Sequence, residues 1–108
     1  MSAYLIAIVK VNDDGWIPDY AARVHDIVAK HGGKYLSRSG NITVLEGNPP
    51  AADAIAIMEF PSVQAVNDFV RDAEYAPFAE ARQAGTDSHF VVIDDTDLTG
   101  GIPYLPKP

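Results

Sequence analysis

Three segments of the sequence have the composition of β-strands, in which successive side chains point to opposite faces. In these segments the side chains on both faces are mostly apolar. The segments are residues 4–10, 54–60 and 89–93. Only two long segments, beginning near Ile17 and Val63, show the three- and four-residue spacing of apolar side chains that predicts an amphipathic helix. A sheet covered by one helical layer keeps a second apolar face, which is most economically buried against another copy of the chain or a ligand.

Composition narrows the classes of protein that this chain can be. Its 108 residues suit one domain, and the absence of cysteine excludes disulfides and thiolate metal sites. Fifteen acidic against eight basic residues give a net charge of −7, which argues against nucleic acid or an anionic membrane as partner. No segment approaches the ~18 apolar residues of a membrane helix, and the apolar start lacks the basic region of a signal peptide. We expect a cytoplasmic protein.

Turn and cap residues divide the chain into elements in the order β-α-β-β-α-β, with one extra hairpin strand before the third long strand. The predicted strands are residues 4–11, 34–39, 42–46, 54–60 and 88–94, and the predicted helices are residues 17–31, 63–73 and 76–84. Right-handed crossovers place both long helices on one side of an antiparallel sheet. The sequence therefore predicts an α+β, ferredoxin-like fold with an open sheet face.

Residues 1–95 are predicted to form this single domain, and residues 96–108 an irregular tail. The tail holds two glycines and three prolines, which excludes regular structure. Its apolar Ile102, Tyr104 and Leu105 predict that it lies along a neighbouring surface.

Several short motifs together resemble one family over about residues 3–95. They are Gly32-Gly33-Lys34-Tyr35-Leu36-Ser37-Arg38-Ser39-Gly40, Val44-Leu45-Glu46-Gly47, Met58-Glu59-Phe60-Pro61-Ser62, and Glu74-Tyr75 with Arg82. The family is the domain-of-unknown-function 1330 family of the dimeric α/β-barrel superfamily. The resemblance implies a homodimer in which two sheets face each other, and it brings no established reaction. Related branches include cofactor-free monooxygenases, small isomerases and haem enzymes, so the fold does not choose among chemistries.

Glu59 is the first candidate for chemistry because it follows Ile55 and Ile57 on one face of an otherwise apolar strand. A carboxylate held there needs a partner or acquires a raised pKa. Arg38 on the second strand is the predicted partner, since its planar guanidinium suits a bidentate pair. The pair indicates a substrate site with Glu59 as catalytic base. The alternatives are a structural ion pair at the end of the sheet and simple exposure of Glu59 at the end of its strand.

Other candidates come from the family pattern and from the first helix. The resemblance implies that Tyr35, Tyr75 and Arg82 bind substrate as phenolic donors or an anion clamp, and a packed structural role is the alternative for each. His25 lies at the flank of the apolar helix stripe, where it is a candidate acid or base. It is six residues from His31, about 240° around the helix, so the two cannot share a metal. No zinc-type spacing is present, and no metal is predicted.

Two functional hypotheses follow. In the first, a homodimer binds a small polar or aromatic metabolite in a pocket beside the sheet, and it is either a binding protein or a cofactor-free enzyme. The enzyme would catalyse proton transfer or a monooxygenase-like oxygenation. Glu59 or His25 is then the base and Arg38 the anion stabiliser. In the second, the dimer is a non-catalytic structural or regulatory module whose pocket is filled by side chains. The sequence lacks G-x-G-x-x-G, P-loop and G-x-S-x-G motifs, so no cofactor is predicted.

Overall fold

In the described part of the chain, four antiparallel strands form the sheet and three helices lie in the connections between them. The computed structural model describes residues 2–99 and 101. In chain order its elements are β1 (Ala3–Val11), α1 (Ile17–Lys30), β2 (Lys34–Ser39), β3 (Ala54–Phe60), α2 (Val63–Val70), α3 (Ala76–Gly85) and β4 (Thr86–Asp94). The strand order is β2-β3-β1-β4, and every neighbouring pair is antiparallel. This is the predicted ferredoxin-like α+β fold.

The helix-facing side of the sheet carries the core. Leu5 of β1 and Met58 and Phe60 of β3 are buried there under α1 and α2. Three aromatic rings continue this core beneath the helices, with Phe69 stacked on Tyr75 at 4.3 Å and 5.6 Å from Phe60, measured between ring centroids. A stripe on α1 completes it, formed by Val24, Ile27 and Val28.

The opposite side of the sheet is apolar, and none of the helices in the described residues covers it. Strand register places three cross-strand rows on this open face, which are Tyr4, Glu59 and Ile93; Ile6, Ile57 and Val91; and Ile8, Ile55 and His89. Val91 and Ile93 remain 51% and 57% exposed. Both faces of the central strands are therefore apolar, as their sequences indicate.

The helix ends form where the sequence places them. Pro18 lies in the first turn of α1, where its missing N–H is not needed. Gly32 has φ +79°, a left-handed conformation that ends the helix. The Ser62 hydroxyl accepts a hydrogen bond from the Ala65 N–H at 3.0 Å and caps α2. Among the described residues, no helix is both long enough and apolar enough to cross a membrane.

Two details of the predicted secondary structure are wrong. Residues 42–46 form no strand, because local hydrogen bonds turn the chain after β2 and leave Leu45 93% exposed. Helix α2 ends at Val70, since the Asp72 side chain accepts the Glu74 N–H at 2.8 Å and stabilises a turn instead. The packing predicted for Ile102, Tyr104 and Leu105 lies outside the described residues, and the domain boundary at residue 95 stays a prediction.

Candidate functional site

A cavity of about 580 Å³ lies between α1 and the helix-facing side of the sheet. It exists because Ala7, Ala54 and Ala56 present only methyl groups on β1 and β3, whereas Leu5, Met58 and Phe60 fill the space farther along the same face. Five lining residues carry polar groups on otherwise apolar walls, and they are Tyr20, His25, Tyr35, Arg38 and Arg82. Trp16 and Phe90 add two further aromatic rings to the lining.

Arg82 reaches the cavity from α3 and is buried, with 6% of its surface exposed. Its guanidinium lies over the Phe90 ring, 4.0 Å from the centroid, and its Nη1 donates to the Ser88 hydroxyl at 2.7 Å. The Nε–H has no hydrogen-bond partner among the described residues. A buried guanidinium therefore keeps donor capacity beside the cavity.

Arg38 and Tyr35 enter the cavity from β2 because a β-bulge lies between them. Tyr35 is opposite Met58 and Arg38 is opposite Ala56, with a register shift between Tyr35 and Ser37. The extra residue puts both side chains on the helix-facing side, where the Arg38 guanidinium lies 4.3 Å from the centroid of the Tyr35 ring. Contact with the ring holds the guanidinium against an aromatic surface.

The predicted pair between Arg38 and Glu59 is wrong for the same reason. Glu59 lies on the open face, where its Oε1 is 3.4 Å from Lys34 Nζ. Regular alternation from Leu36 places Arg38 on that face too, but the bulge moves it to the other side of the sheet. Glu59 is not among the residues that line the cavity.

The phenols of the site are held in their neutral form. The Tyr20 hydroxyl lies 3.1 Å from that of Tyr75, which is only 2% exposed and stands behind the cavity wall. Burial, and then the neighbouring Tyr75, raise the pKa of Tyr20 far above its usual range. Burial also raises the pKa of Tyr35, against the opposing charge of Arg38. Tyr20 and Tyr35 are therefore neutral hydrogen-bonding groups at physiological pH.

His25 lies on the α1 side of the cavity and is half exposed. Its Nδ1 is 3.1 Å from the Ala21 carbonyl oxygen, which can only accept, so this hydrogen bond places the proton on Nδ1. In the neutral ring Nε2 then carries the lone pair, as a base requires. The Asp26 Oδ1 is 3.6 Å from Nε2.

Trp16 closes one side of the cavity by packing on Gly85. A Cβ at position 85 would lie 2.5 Å from Trp16 Cδ1 and 2.7 Å from its Nε1. The Gly85 carbonyl also accepts the N–H groups of Asn12 and Asp13 at 2.8 and 3.0 Å, which anchors the loop before α1. The Trp16 ring meets the Tyr20 ring edge-on at 5.1 Å between centroids.

Four of the six predicted site residues thus line one cavity, namely His25, Tyr35, Arg38 and Arg82. Tyr75 touches it only through the Tyr20 hydroxyl, and the catalytic and binding roles of all six stay predictions. Sequence reasoning missed Trp16, Tyr20 and Phe90 as lining residues. The signal for Tyr20 was present, since it belongs to the apolar stripe of α1 yet carries a hydroxyl.

The described residues contain no group of three or more His, Asp or Glu side chains placed to hold a metal ion. The His31 ring is engaged elsewhere, with its Nε2 2.7 Å from Asp72 Oδ2.

Fold and cavity together define a class of protein: a ferredoxin-like α+β domain with a polar-lined cleft under its first helix. Residues 2–96 match the family described as domain of unknown function (DUF1330), and the chain belongs to that family. None of the curated proteins matches it.

Solved structures share the fold at low sequence identity. The RPA0582 protein of unknown function from Rhodopseudomonas palustris has a TM-score of 0.74 and 20% identity, over 89% of this chain and 83% of that chain. SnoaB from Streptomyces nogalater, described as a cofactor-independent oxygenase, has a TM-score of 0.61 and 14% identity, over 89% of this chain and 94% of that chain. A hypothetical Arabidopsis thaliana protein has a TM-score of 0.56 and 14% identity, over 90% of each chain. These likenesses show the fold alone.

Proposed function

We propose that this protein binds a small aromatic metabolite in the cleft between α1 and the sheet and acts on it by cofactor-free proton transfer. One observation carries the proposal: His25, Tyr35, Arg38 and Arg82 line a single apolar cavity of about 580 Å³. A volume of this order with a few polar groups on apolar walls is typical of sites for small organic ligands. In a purely structural module, no role would require polar side chains to line an open cavity.

The proposed chemistry assigns one role to each kind of polar group. His25 Nε2 accepts a proton from an acidic C–H or O–H of the ligand, and the electron pair left behind becomes negative charge on a conjugated oxygen. Arg38 stabilises that charge, and the neutral phenol of Tyr35 orients the ligand. The half-exposed position of His25 lets the proton pass on to water.

Oxygenation is a variant of the same proposal. SnoaB, which shares the fold, is described as a cofactor-independent oxygenase. The conjugated carbanion that remains after proton transfer to His25 donates its electrons to dioxygen, so that a C–O bond forms and one proton completes a hydroperoxide on the ligand. Where that carbon keeps a hydrogen, loss of water from the hydroperoxide leaves a carbonyl group, and dioxygen is the only oxidant required. The first step, loss of a proton to His25, is common to both variants.

We also propose that the active unit is a homodimer formed through the open sheet face. Ile6, Ile8, Ile55 and Ile57 lie there together with the exposed Val91 and Ile93. A second copy offers the same apolar face, so a two-fold pairing buries both at once. The cavity is on the other side of the sheet, and such pairing leaves it accessible.

Native mass spectrometry of freshly purified protein tests the binding proposal directly. We expect a retained small molecule, and we expect ligands that enter the cavity to change the emission of Trp16, the single tryptophan of the chain. Arg38→Ala should weaken binding at least about tenfold, because a charged hydrogen bond contributes about 1.5–3 kcal/mol. Arg23→Ala removes the same charge from the exposed side of α1 and is the matched control.

Measurements of turnover distinguish the two candidates for the base, the His25 imidazole and the Glu59 carboxylate. His25→Gln should lower the rate by about 10²–10⁴-fold and flatten the pH–rate profile. Loss of turnover in Glu59→Gln, with full activity in His25→Gln, would place the chemistry on the open face and contradict the proposal. A cavity that retains nothing and binds no aromatic ligand would favour the non-catalytic dimer module.

A further inference from the structure

The charge distribution of the cavity indicates which class of ligand it takes. The chain has fifteen acidic and eight basic residues, yet no Asp or Glu is among the described residues that line the cavity. Its two permanently charged lining side chains are both arginines, Arg38 and Arg82. A positive cavity inside an acidic protein is the reverse of what the composition favours.

Neither arginine has a carboxylate partner in the part of the chain that the structure describes. None of the ion pairs among the described residues includes Arg38 or Arg82. Each guanidinium lies instead on an aromatic ring, at 4.3 Å from the Tyr35 centroid and 4.0 Å from the Phe90 centroid. Ring contact stabilises a cation but leaves its in-plane N–H donors available to an acceptor.

Arg82 makes the argument specific. Only 6% of its surface is exposed. Among the described residues its guanidinium makes one hydrogen bond, from Nη1 to Ser88 Oγ, and its Nε–H is unpaired. A buried charge is costly unless a counter-charge and hydrogen bonds compensate for it. The missing counter-charge is supplied most simply by the ligand, since Arg82 belongs to the wall of the cavity.

The rest of the lining indicates the body of that ligand. Trp16 and Tyr20 meet edge-on at 5.1 Å, and their rings share the cavity with those of Tyr35 and Phe90. Both tyrosine hydroxyls stay protonated, because burial raises their pKa, so they add hydrogen-bond donors and no negative charge. The site thus combines aromatic walls with a set of donors and cations.

We propose that the ligand is a planar aromatic acid whose carboxylate is bound by the guanidinium of Arg82 in the cleft under α1. This inference rests on the proposed function, and it adds the charge and shape of the ligand. The carboxylate accepts hydrogen bonds from the guanidinium N–H groups that Ser88 leaves free, while the ring lies among the aromatic side chains.

A matched pair of probes tests the inference on the wild-type protein. Isothermal titration calorimetry compares 2-naphthoate with 2-naphthamide, which has nearly the same shape and no charge. We expect the acid to bind at least about tenfold more tightly than the amide, because hydrogen bonds to charged groups are stronger than neutral ones. The net charge of −7 acts against this preference, so its observation points to the cavity.

Variants assign the preference to Arg82. Arg82→Gln should remove the discrimination between acid and amide, whereas Arg23→Gln, at an exposed position of α1, should leave it intact. Circular dichroism melting shows whether Arg82→Gln still folds. Should it not fold, Arg82→Lys is the second variant, and it should keep part of the preference because it keeps the charge but loses the planar guanidinium.

The outcomes separate this inference from the proposed function. Equal affinity for acid and amide would overturn the inference and leave the ligand-binding proposal standing. Displacement of naphthoate by equimolar inorganic phosphate would also overturn it, because the site would then bind small anions whether or not they carry an aromatic ring. Failure of both naphthyl probes to bind at millimolar concentration would contradict the inference and the proposed function together.

Discussion

The Asp72 carboxylate accepts a hydrogen bond from His31 Nε2 at 2.7 Å and joins the end of α1 to the turn that follows α2. Lys30 Nζ lies 2.9 Å from the same oxygen, and the Glu74 N–H donates to the other at 2.8 Å. These hydrogen bonds, that of His31 first, favour the charged carboxylate and hold the pKa of Asp72 well below its ordinary value. One ionised side chain therefore links the end of α1 to the turn after α2.

Acid should loosen this junction. A carboxyl group whose folded pKa is depressed contributes stability above its unfolded pKa of about 3.9, and this contribution is lost as the pH falls through the folded value. We expect Asp72→Asn to be less stable than wild type at pH 7 and to lose less stability between pH 5 and pH 2. Urea unfolding across that range measures both effects.

The exposed Asp14→Asn is the control for this prediction and should follow wild type. Asp53 and Asp97 also have lowered pKa values, through hydrogen bonds from Val11 and Thr99, so Asp72→Asn keeps part of the acid sensitivity. If Asp72→Asn lost as much unfolding free energy between pH 5 and pH 2 as wild type, Asp72 would not be a source of the acid sensitivity.

The hydroxyl pair of Tyr20 and Tyr75 should couple in a double-mutant cycle. Tyr20→Phe leaves the buried Tyr75 hydroxyl without its partner and should cost about 1–3 kcal/mol of unfolding free energy. Tyr75→Phe should cost less, about 0.5–1.5 kcal/mol, because Tyr20 lines the cavity and water that enters the cavity can replace the lost partner. The double variant should be destabilised by less than the sum. Tyr4→Phe on the open face is the control, and strict additivity would refute the coupling.

Gly85 should control the position of Trp16. A methyl group at residue 85 would lie 2.5 Å from Trp16 Cδ1 and 2.9 Å from the Asp13 carbonyl oxygen, so Gly85→Ala must displace the ring or the loop. We expect a loss of about 1–3 kcal/mol of stability and a shift of the tryptophan emission to longer wavelength as the ring becomes more exposed. Gly15→Ala, whose Cβ meets Asp13 Oδ1 at 3.4 Å, is the matched control. Wild-type emission and melting in Gly85→Ala would contradict this packing.

Local signals in the sequence were sufficient for most of the fold. Pro18, Gly32 and Ser62 determine helix ends through backbone conformation and capping, which depend on few neighbours. Alternation within β1 and β3 identified the two apolar faces, because period-two geometry holds along an undistorted strand. The placement of both long helices on one side of the sheet then followed from crossover handedness.

The site was harder to predict because it depends on one extra residue in β2, which forms the bulge, and on small side chains that leave a cavity. The bulge next to Leu36 reverses the face of Arg38, and nothing in residues 34–39 distinguishes a bulged strand from a regular one. The cavity arises where Ala7 and Ala56 pair beneath α1. In the sequence these alanines are indistinguishable from ordinary core residues, since the space above them depends on where the helix packs.

The open sheet face provides the test of assembly. Ile57 lies at the centre of this face, between Ile6 of β1 and Ser37 of β2, and it contributes nothing to the buried core. In a dimer a lysine there would bury an unpaired charge, so Ile57→Lys should raise the dissociation constant at least about 100-fold, equivalent to about 2.7 kcal/mol. Light scattering at micromolar concentration should find a dimer for wild type and for Ala22→Lys, which adds the same charge to the exposed side of α1. A monomeric wild-type protein would show that the apolar face is covered in some other way.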